Sequence, residues 1–357
     1  MDVLTLHIGH MKTGTTSLQA TFRDNAAVLA RHGLYYYART RTNHALVRPF
    51  SGRTKARGES KFLKEFRQEA AAAGGLPAGL ISSETLQRLG PEEIAGCVQT
   101  MRTIAPRVRV LVYVREPVAL AISAAHQGVR SGRALADIEA TPRVLNLTQI
   151  ITRWRDAVGP ENMIVRPFDR AQMAGGDVID DVLEVLGCGT AAPELERRSV
   201  NEGLSVLGIH MLERAIARMP GGKMPYDQQR AFNFVRGPRY VLPAAALDKV
   251  RKRAAPHVAF LREEYGIELP PSEEMPSAPL ALSEAEIASL AEVFHEINAF
   301  AYRMDRSALG RVLGTTMPYS NRYTEAPHPL RAKLEKLGLL DELAREVEGP
   351  DDEGDSD

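Results

Sequence analysis

Residues 7–18 read HIGHMKTGTTSL and crowd two glycines, one lysine and several hydroxyl side chains into one short stretch. Gly9 and Gly14 have the spacing of a phosphate-binding loop, G-x-x-x-x-G. A nucleoside-triphosphatase loop carries its lysine directly after the second glycine, whereas Thr15 stands there and Lys12 lies inside the loop. A glycine turn that opens a helix converges backbone N–H groups on one point, and the helix dipole favours an anion there. Thr13, Thr15, Thr16 and Ser17 enrich that point in neutral donors, and Lys12 adds one positive charge. The chemistry this suits is a phosphate or sulfate ester.

A second stretch, VREPVALAIS, ends an apolar run in Arg115 and places Ser123 eight residues later. With a helix starting near Pro117, Ser123 falls about two turns in. A guanidinium at a strand end and a hydroxyl on the next helix could hold one phosphate between them, the bidentate arginine supplying most of the strength. In a metal-dependent triphosphatase that strand ends in an acidic residue which, with the loop Ser/Thr, holds Mg²⁺. Arginine in its place suits a second anion instead, and the neighbouring Arg115 and the Pro117 turn argue against a metal role for Glu116.

These residues need a scaffold, and the sequence supplies one. The chain has 357 residues, of which 44% are hydrophobic and 25% charged, as in ordinary globular chains. Net charge is zero, so no bulk field favours nucleic acid or a membrane surface. Cys97 and Cys188 form no CxxC pair, which argues against a metal knuckle or a disulfide framework. No leader and no apolar stretch long enough to span a bilayer is visible, so a cytoplasmic location is expected. Apolar runs at 3–8, 34–37, 79–82, 108–114 and 163–168 alternate with helical patterns, the mark of βαβ units and a parallel sheet. Leu18, Phe22 and Leu29 lie close to one face of the first helix, which stops at Gly33. Pro91 and two glutamates open another helix, a third follows VREP, and a fourth carries the single tryptophan, Trp154, expected in the core. Beyond residue 200 the pattern is helical, with an amphipathic segment interrupted by Pro256 and a later helix opened by a Ser283–Glu286 capping box.

The two motifs together resemble the sulfotransferases that use 3′-phosphoadenosine 5′-phosphosulfate (PAPS). Their 5′-phosphosulfate loop has the form K-[ST]-G-T-T, found here as Lys12 to Thr16, and their 3′-phosphate element matches Arg115 and Ser123. The chain looks most similar to bacterial members whose loop reads H-x-G-x-x-K-T-G-T-T-S. The resemblance covers roughly residues 1–270 and implies a doubly wound parallel sheet of the P-loop, nucleoside-kinase-like type, with the nucleotide across the carboxyl ends of the strands. It implies PAPS as co-substrate and its bisphosphate, PAP, as product, with no metal required. Thr13, Gly14, Thr15, Thr16 and Ser17 would bind the 5′-phosphate, Arg115 and Ser123 the 3′-phosphate, and Lys12 would neutralise the departing phosphate. Many cytosolic members follow the loop with an adenine-stacking tryptophan. Ser17-Leu18 stand there instead, which leaves the adenine contact unassigned, with the region around RRSVNEGLS one place to look.

An acceptor hydroxyl also needs a base. Glu84, just past the carboxyl end of a central strand, is the first candidate; the other reading of Ser83-Glu84 is a cap for the helix that follows. His44 and His126 are alternative bases by intrinsic pKa, and each is otherwise a substrate contact or a surface histidine. Arg130 could line the donor site or bind an anionic acceptor. The expected organisation is an α/β domain over 1–270, a helical C-terminal extension over 271–346 and an acidic tail over 347–357 too polar to fold. The expected partner is a small-molecule or glycan acceptor, not nucleic acid. A metal-dependent kinase of the same fold and a catalytically inactive nucleotide-binding protein are the rival readings.

Overall fold

The five apolar runs all become strands, each within one residue of its boundaries in the sequence reading. The computed structural model describes residues 1–9, 13–38, 43–50, 61–73, 75–197, 203–272 and 274–305. In order these form β1 (Val3–His7), α1 (Thr15–Asp24), α2 (Ala26–Arg31), β2 (Leu34–Tyr36), α3 (His44–Val47), α4 (Lys61–Ala72), β3 (Ala78–Ser82) and α5 (Pro91–Arg102). Next come β4 (Arg107–Val114), α6 (Pro117–Arg130), α7 (Leu135–Ala140), α8 (Leu147–Val158), β5 (Met163–Pro167) and α9 (Val178–Val185). The last helices are α10 (Val206–Arg218), α11 (Tyr226–Arg230), α12 (Ala244–Tyr265) and α13 (Glu284–Asp305).

All strand pairs are parallel and the sheet order is β2-β3-β1-β4-β5, so β1 lies between β3 and β4. Period-two alternation sends the side chains of each strand to two faces, and both faces are covered. Leu4, Leu6, Ile81, Val110 and Val112 pack with Ile94 and Val98 of α5 and with Ile151 and Trp154 of α8. On the opposite face Leu80, Leu111 and Tyr113 pack with Leu18 and Phe22 of α1 and with Val178, Ile179 and Val182 of α9. This is the parallel α/β sheet that the residue pattern implied, doubly wound as the family resemblance implied. Being parallel, it brings the carboxyl ends of all its strands to one edge, where ligands bind in open α/β folds.

Packing divides the chain into one unit of Met1–Ala125, Ala140–Asn201 and Leu242–Met275, and a second of His126–Glu139, Glu202–Val241 and the described part of Pro276–Asp357. In the second unit α10 and α13 are joined by an Arg214–Glu284 ion pair and an Arg218–Glu292 pair at 2.8 Å, and Phe232 meets Phe294 with ring centroids 4.9 Å apart. Ser283 and Glu286 form the reciprocal capping box, the Ser283 N–H donating to the Glu286 carboxylate at 2.7 Å and the Glu286 N–H to the Ser283 hydroxyl at 3.3 Å.

The helix expected to be interrupted at Pro256 runs unbroken from Ala244 to Tyr265. Proline removes one helical hydrogen bond, but Val250, Ala254 and Leu261 stay buried on both sides of it, so packing carries the helix through. The acidic tail lies outside the described residues. Among the described residues no helix is long and apolar enough to cross a membrane.

Candidate active site at the carboxyl ends of the central strands

β1 delivers the chain to Gly9, and the loop re-enters described structure at Thr13 before α1 begins. Gly14 sits at the N-cap of α1 with φ 72° and ψ 7°, a left-handed conformation that glycine alone adopts without strain. Gly14 has no side chain with which to cap this helix. By contrast α8, α9 and α10 begin with Asn146, Asp177 and Ser205 each accepting a first-turn N–H. No acidic residue stands in the first turn of α1, so nothing there opposes the positive end of the helix dipole.

The loop hydroxyls divide in a way the sequence did not show. Thr13 and Thr15 are buried, whereas Thr16 is exposed and Ser17 half-buried. A Cβ placed on Gly9 would lie 2.8 Å from Thr15 Cγ2 and 3.3 Å from Glu84 Cγ. Thr15 therefore helps to close the base of the loop, and Gly9 is glycine because two side chains converge on it. The same approach places Glu84, the candidate base, against the start of the loop, carried there by the Ser83 N–H donating to the His7 carbonyl at 3.0 Å beyond the end of β3. The turn that follows is a short 3-10 segment whose N-cap is Thr85, and the Ser83 and Thr85 hydroxyls are 2.8 Å apart.

Arg115 emerges from β4, the neighbour of β1, with its guanidinium carbon 5.6 Å from the centroid of the Phe168 ring. A Cβ on Gly14 would lie 3.4 Å from the same ring, at Phe168 Cε2, and 2.8 Å from Val178 Cγ1. Phe168 thus touches both halves of the candidate site. It is held by its N–H donating to the Val114 carbonyl at 2.7 Å. Below it, Asp181 of α9 is buried and accepts from Arg166 at 2.5 Å and 3.0 Å, from the Tyr113 hydroxyl at 2.7 Å and from the Ala174 N–H at 2.9 Å. Burial pushes the Asp181 carboxyl up, but these donors more than offset it and hold its pKa below the usual carboxylate value. The network ties β4, β5 and the turn before α9 together under the Gly14 contact.

Glu116 has a structural task. Its carboxylate accepts the N–H groups of Val118 at 3.0 Å and Ala119 at 2.7 Å, capping α6. Ser123 lies half-buried on that helix.

Two other candidates move. His126 is buried in the second unit: its Nδ1 accepts the Leu204 N–H at 3.2 Å and its Nε2 is 3.2 Å from the Tyr240 carbonyl. Both nitrogens of the neutral ring are therefore engaged with backbone, and it is neither a surface histidine nor placed to take a proton. Arg130 is also buried, donating to Asn233 Oδ1 at 2.6 Å and to the Gln229 carbonyl at 3.4 Å, so its guanidinium knits the second unit together. His44 opens α3 with its side chain open to solvent, though surrounding protein and the Arg88 guanidinium hold its pKa below the ordinary value. Lys12 and residues 198–202 of the RRSVNEGLS stretch lie outside the described residues.

Sequence reasoning did not find the Phe168 contact or the Glu116 cap. An acid immediately before a proline-started helix was a readable sign of the cap. Phe168 carried no such sign, because it becomes part of the site only when β5 pairs with β4.

No protein-family model matches the chain, and no curated protein does. Among solved structures, the sulfotransferase from Alicyclobacillus acidocaldarius aligns over 74% of this chain and 96% of its own, at 17% identity and a TM-score of 0.42.

Proposed function

We propose that the chain transfers a sulfuryl group from PAPS to a hydroxyl, on a carbohydrate or small metabolite. The observation that carries this reading is the shared seat on Phe168: the glycine turn that opens α1 and the guanidinium that follows β4 both lie against one ring. A helix start on a glycine turn and an arginine within reach of one aromatic residue suit a nucleotide with phosphates at two positions. Gly14 supplies the left-handed turn that opens α1, and no acidic residue in the first turn of that helix would repel a phosphate there.

In this reading the α1 N-terminus, with Thr16 and Ser17, holds the 5′-phosphate, while Arg115 and Ser123 bind the 3′-phosphate. Bound PAPS supplies the sulfuryl group, and the bridging S–O bond breaks as the acceptor O–S bond forms. Lys12 neutralises the charge on the departing phosphate, and Glu84 takes the acceptor proton. Preorganised electrostatics and positioning supply most of the rate in such a loose transfer. A metal-dependent kinase reading is weakened by Glu116, the acidic group nearest the β4 end, whose two oxygens are spent on helix N–H groups.

Thermal shift separates these readings. The bisphosphate should stabilise the protein equally with and without EDTA, and ATP–Mg²⁺ should do less; preference for ATP–Mg²⁺ would support the kinase. Screening hydroxyl acceptors with labelled PAPS then identifies the substrate. On the acceptor so found, Glu84→Gln should lower turnover by about a hundredfold or more while bisphosphate binding persists. Near-normal turnover in that variant would remove Glu84 from the mechanism.

A further inference from the structure

A buried polar cluster lies under the loop and is not used by the transfer chemistry. His7 is the last residue of β1 and has no exposed surface; its Nδ1 is 2.8 Å from the hydroxyl of Ser82, the last residue of β3. Gln19, on the second turn of α1, donates its side-chain amide to the Ser82 carbonyl at 3.0 Å and to the Ser82 hydroxyl at 3.2 Å. His7 and Ser82 are register partners in the sheet, so one hydroxyl links two strand ends to the helix above them. The ring is further fixed edge-on to Tyr113, with centroids 5.8 Å apart and planes at 85°.

The arrangement has little slack. Hydrogen-bonding Gln19 to Ser82 sets how far α1 stands from the end of β3, the sheet neighbour of β1. Both approach Gly9, where Thr15 of α1 and Glu84 beyond β3 meet. Purely apolar packing would hold α1 on the sheet but would let it slide, because such contacts are not directional. Directional hydrogen bonds in a dry interior resist that slide; they run through His7 Nδ1, while His7 Nε2 is buried with no partner among the described residues. Burial keeps the His7 pKa near 4, so the ring is neutral at physiological pH and no buried charge is introduced.

We infer that Gln19, Ser82 and His7 are positioning residues that fix the start of α1, and with it the 5′-phosphate subsite, against the strand end that carries Glu84. This rests on the donor reading above. The cluster touches no phosphate itself; it acts through the placement of the α1 N–H groups.

The test measures calorimetric affinities of the whole protein for three probes: adenosine 3′,5′-bisphosphate, adenosine 3′-monophosphate and adenosine 5′-monophosphate. The bisphosphate against the 3′-monophosphate gives the contribution of the 5′-phosphate; the bisphosphate against the 5′-monophosphate gives that of the 3′-phosphate. Gln19→Met keeps the side-chain length without its hydrogen bonds, and should cut the 5′ contribution by about tenfold while leaving the 3′ contribution unchanged. His7→Leu should do the same, and His7→Asn, which restores a polar atom near the Nδ1 position, should recover most of it. A general loosening of the fold would lower both contributions together, and that result would overturn the inference. Unchanged 5′ contributions in folded Gln19→Met and His7→Leu would overturn it too. If the unaltered protein binds the bisphosphate no better than either monophosphate, the donor reading itself fails and takes the positioning role with it.

Discussion

β1 and β4 are neighbours in the sheet, yet the helices that follow them begin in opposite ways. α1 starts on a left-handed glycine, which has no side chain to fold back, and α6 starts with a glutamate folded back onto two of its first N–H groups. One helix start is closed by the protein's own carboxylate; the other is opened by a glycine turn. Beside the closed start stands Arg115, a cation rather than a metal-binding acid. On the proposed reading, the difference lets one strand-end edge take two anions in a chain with no net charge: a glycine-opened helix start serves one and a guanidinium the other.

Breaking the open side should produce the largest effect. Gly14→Ala forces an L side chain into φ 72° and drives its Cβ to within 2.8 Å of Val178 Cγ1. Strain and overpacking together should cost about 3 kcal/mol of folding stability and abolish stabilisation by adenosine 3′,5′-bisphosphate. Thermal melting with and without the ligand reads both; an intact ligand response would mean that the loop does not need this turn.

The floor beneath the open side predicts a pH dependence of similar size. His7 has a folded pKa of about 4 against an ordinary 6.5. Its neutral burial is therefore fully stabilising above about pH 6.5. Below that the unfolded chain takes a proton which the folded chain refuses, so stability falls as pH drops toward 4, by at most about 3 kcal/mol. Urea unfolding at pH 7 and pH 4.5 should show a steeper loss for the unaltered protein than for His7→Asn. Equal losses would mean that the ring is not held as the structure shows.

Breaking the closed side should cost least. Glu116→Ala removes a cap and should lower stability by about 1 kcal/mol, while the bisphosphate response stays insensitive to EDTA. A metal-dependent response that Glu116→Ala abolished would make Glu116 a ligand rather than a cap.

What the sequence revealed and concealed follows the same division. The strands were legible because fully buried parallel strands read as continuous apolar runs, and the Ser283–Glu286 box because capping is local. The positions of Arg115 and Glu84 were legible because each follows a strand whose end those runs fix, and the Gly14 turn because a glycine before a helix start is a local signal. The helix through Pro256 was not, because buried residues on both sides outweigh one lost hydrogen bond. Nor were the buried roles of His126 and Arg130, whose partners Tyr240 and Asn233 are more than a hundred residues away. Histidine and arginine look alike in sequence whether they face a ligand or a backbone carbonyl, and only long-range packing decides.

The decisive comparison is calorimetric, in EDTA: adenosine 3′,5′-bisphosphate and adenosine 5′-monophosphate, each titrated into the unaltered protein and into Arg115→Ala. The guanidinium beside Phe168 should make the bisphosphate the tighter ligand, and its removal should weaken that ligand by at least about tenfold while leaving the monophosphate unchanged. Equal affinity for the two nucleotides in the unaltered protein, or a preference that survives without Arg115, would contradict a two-anion site built from these neighbouring strand ends.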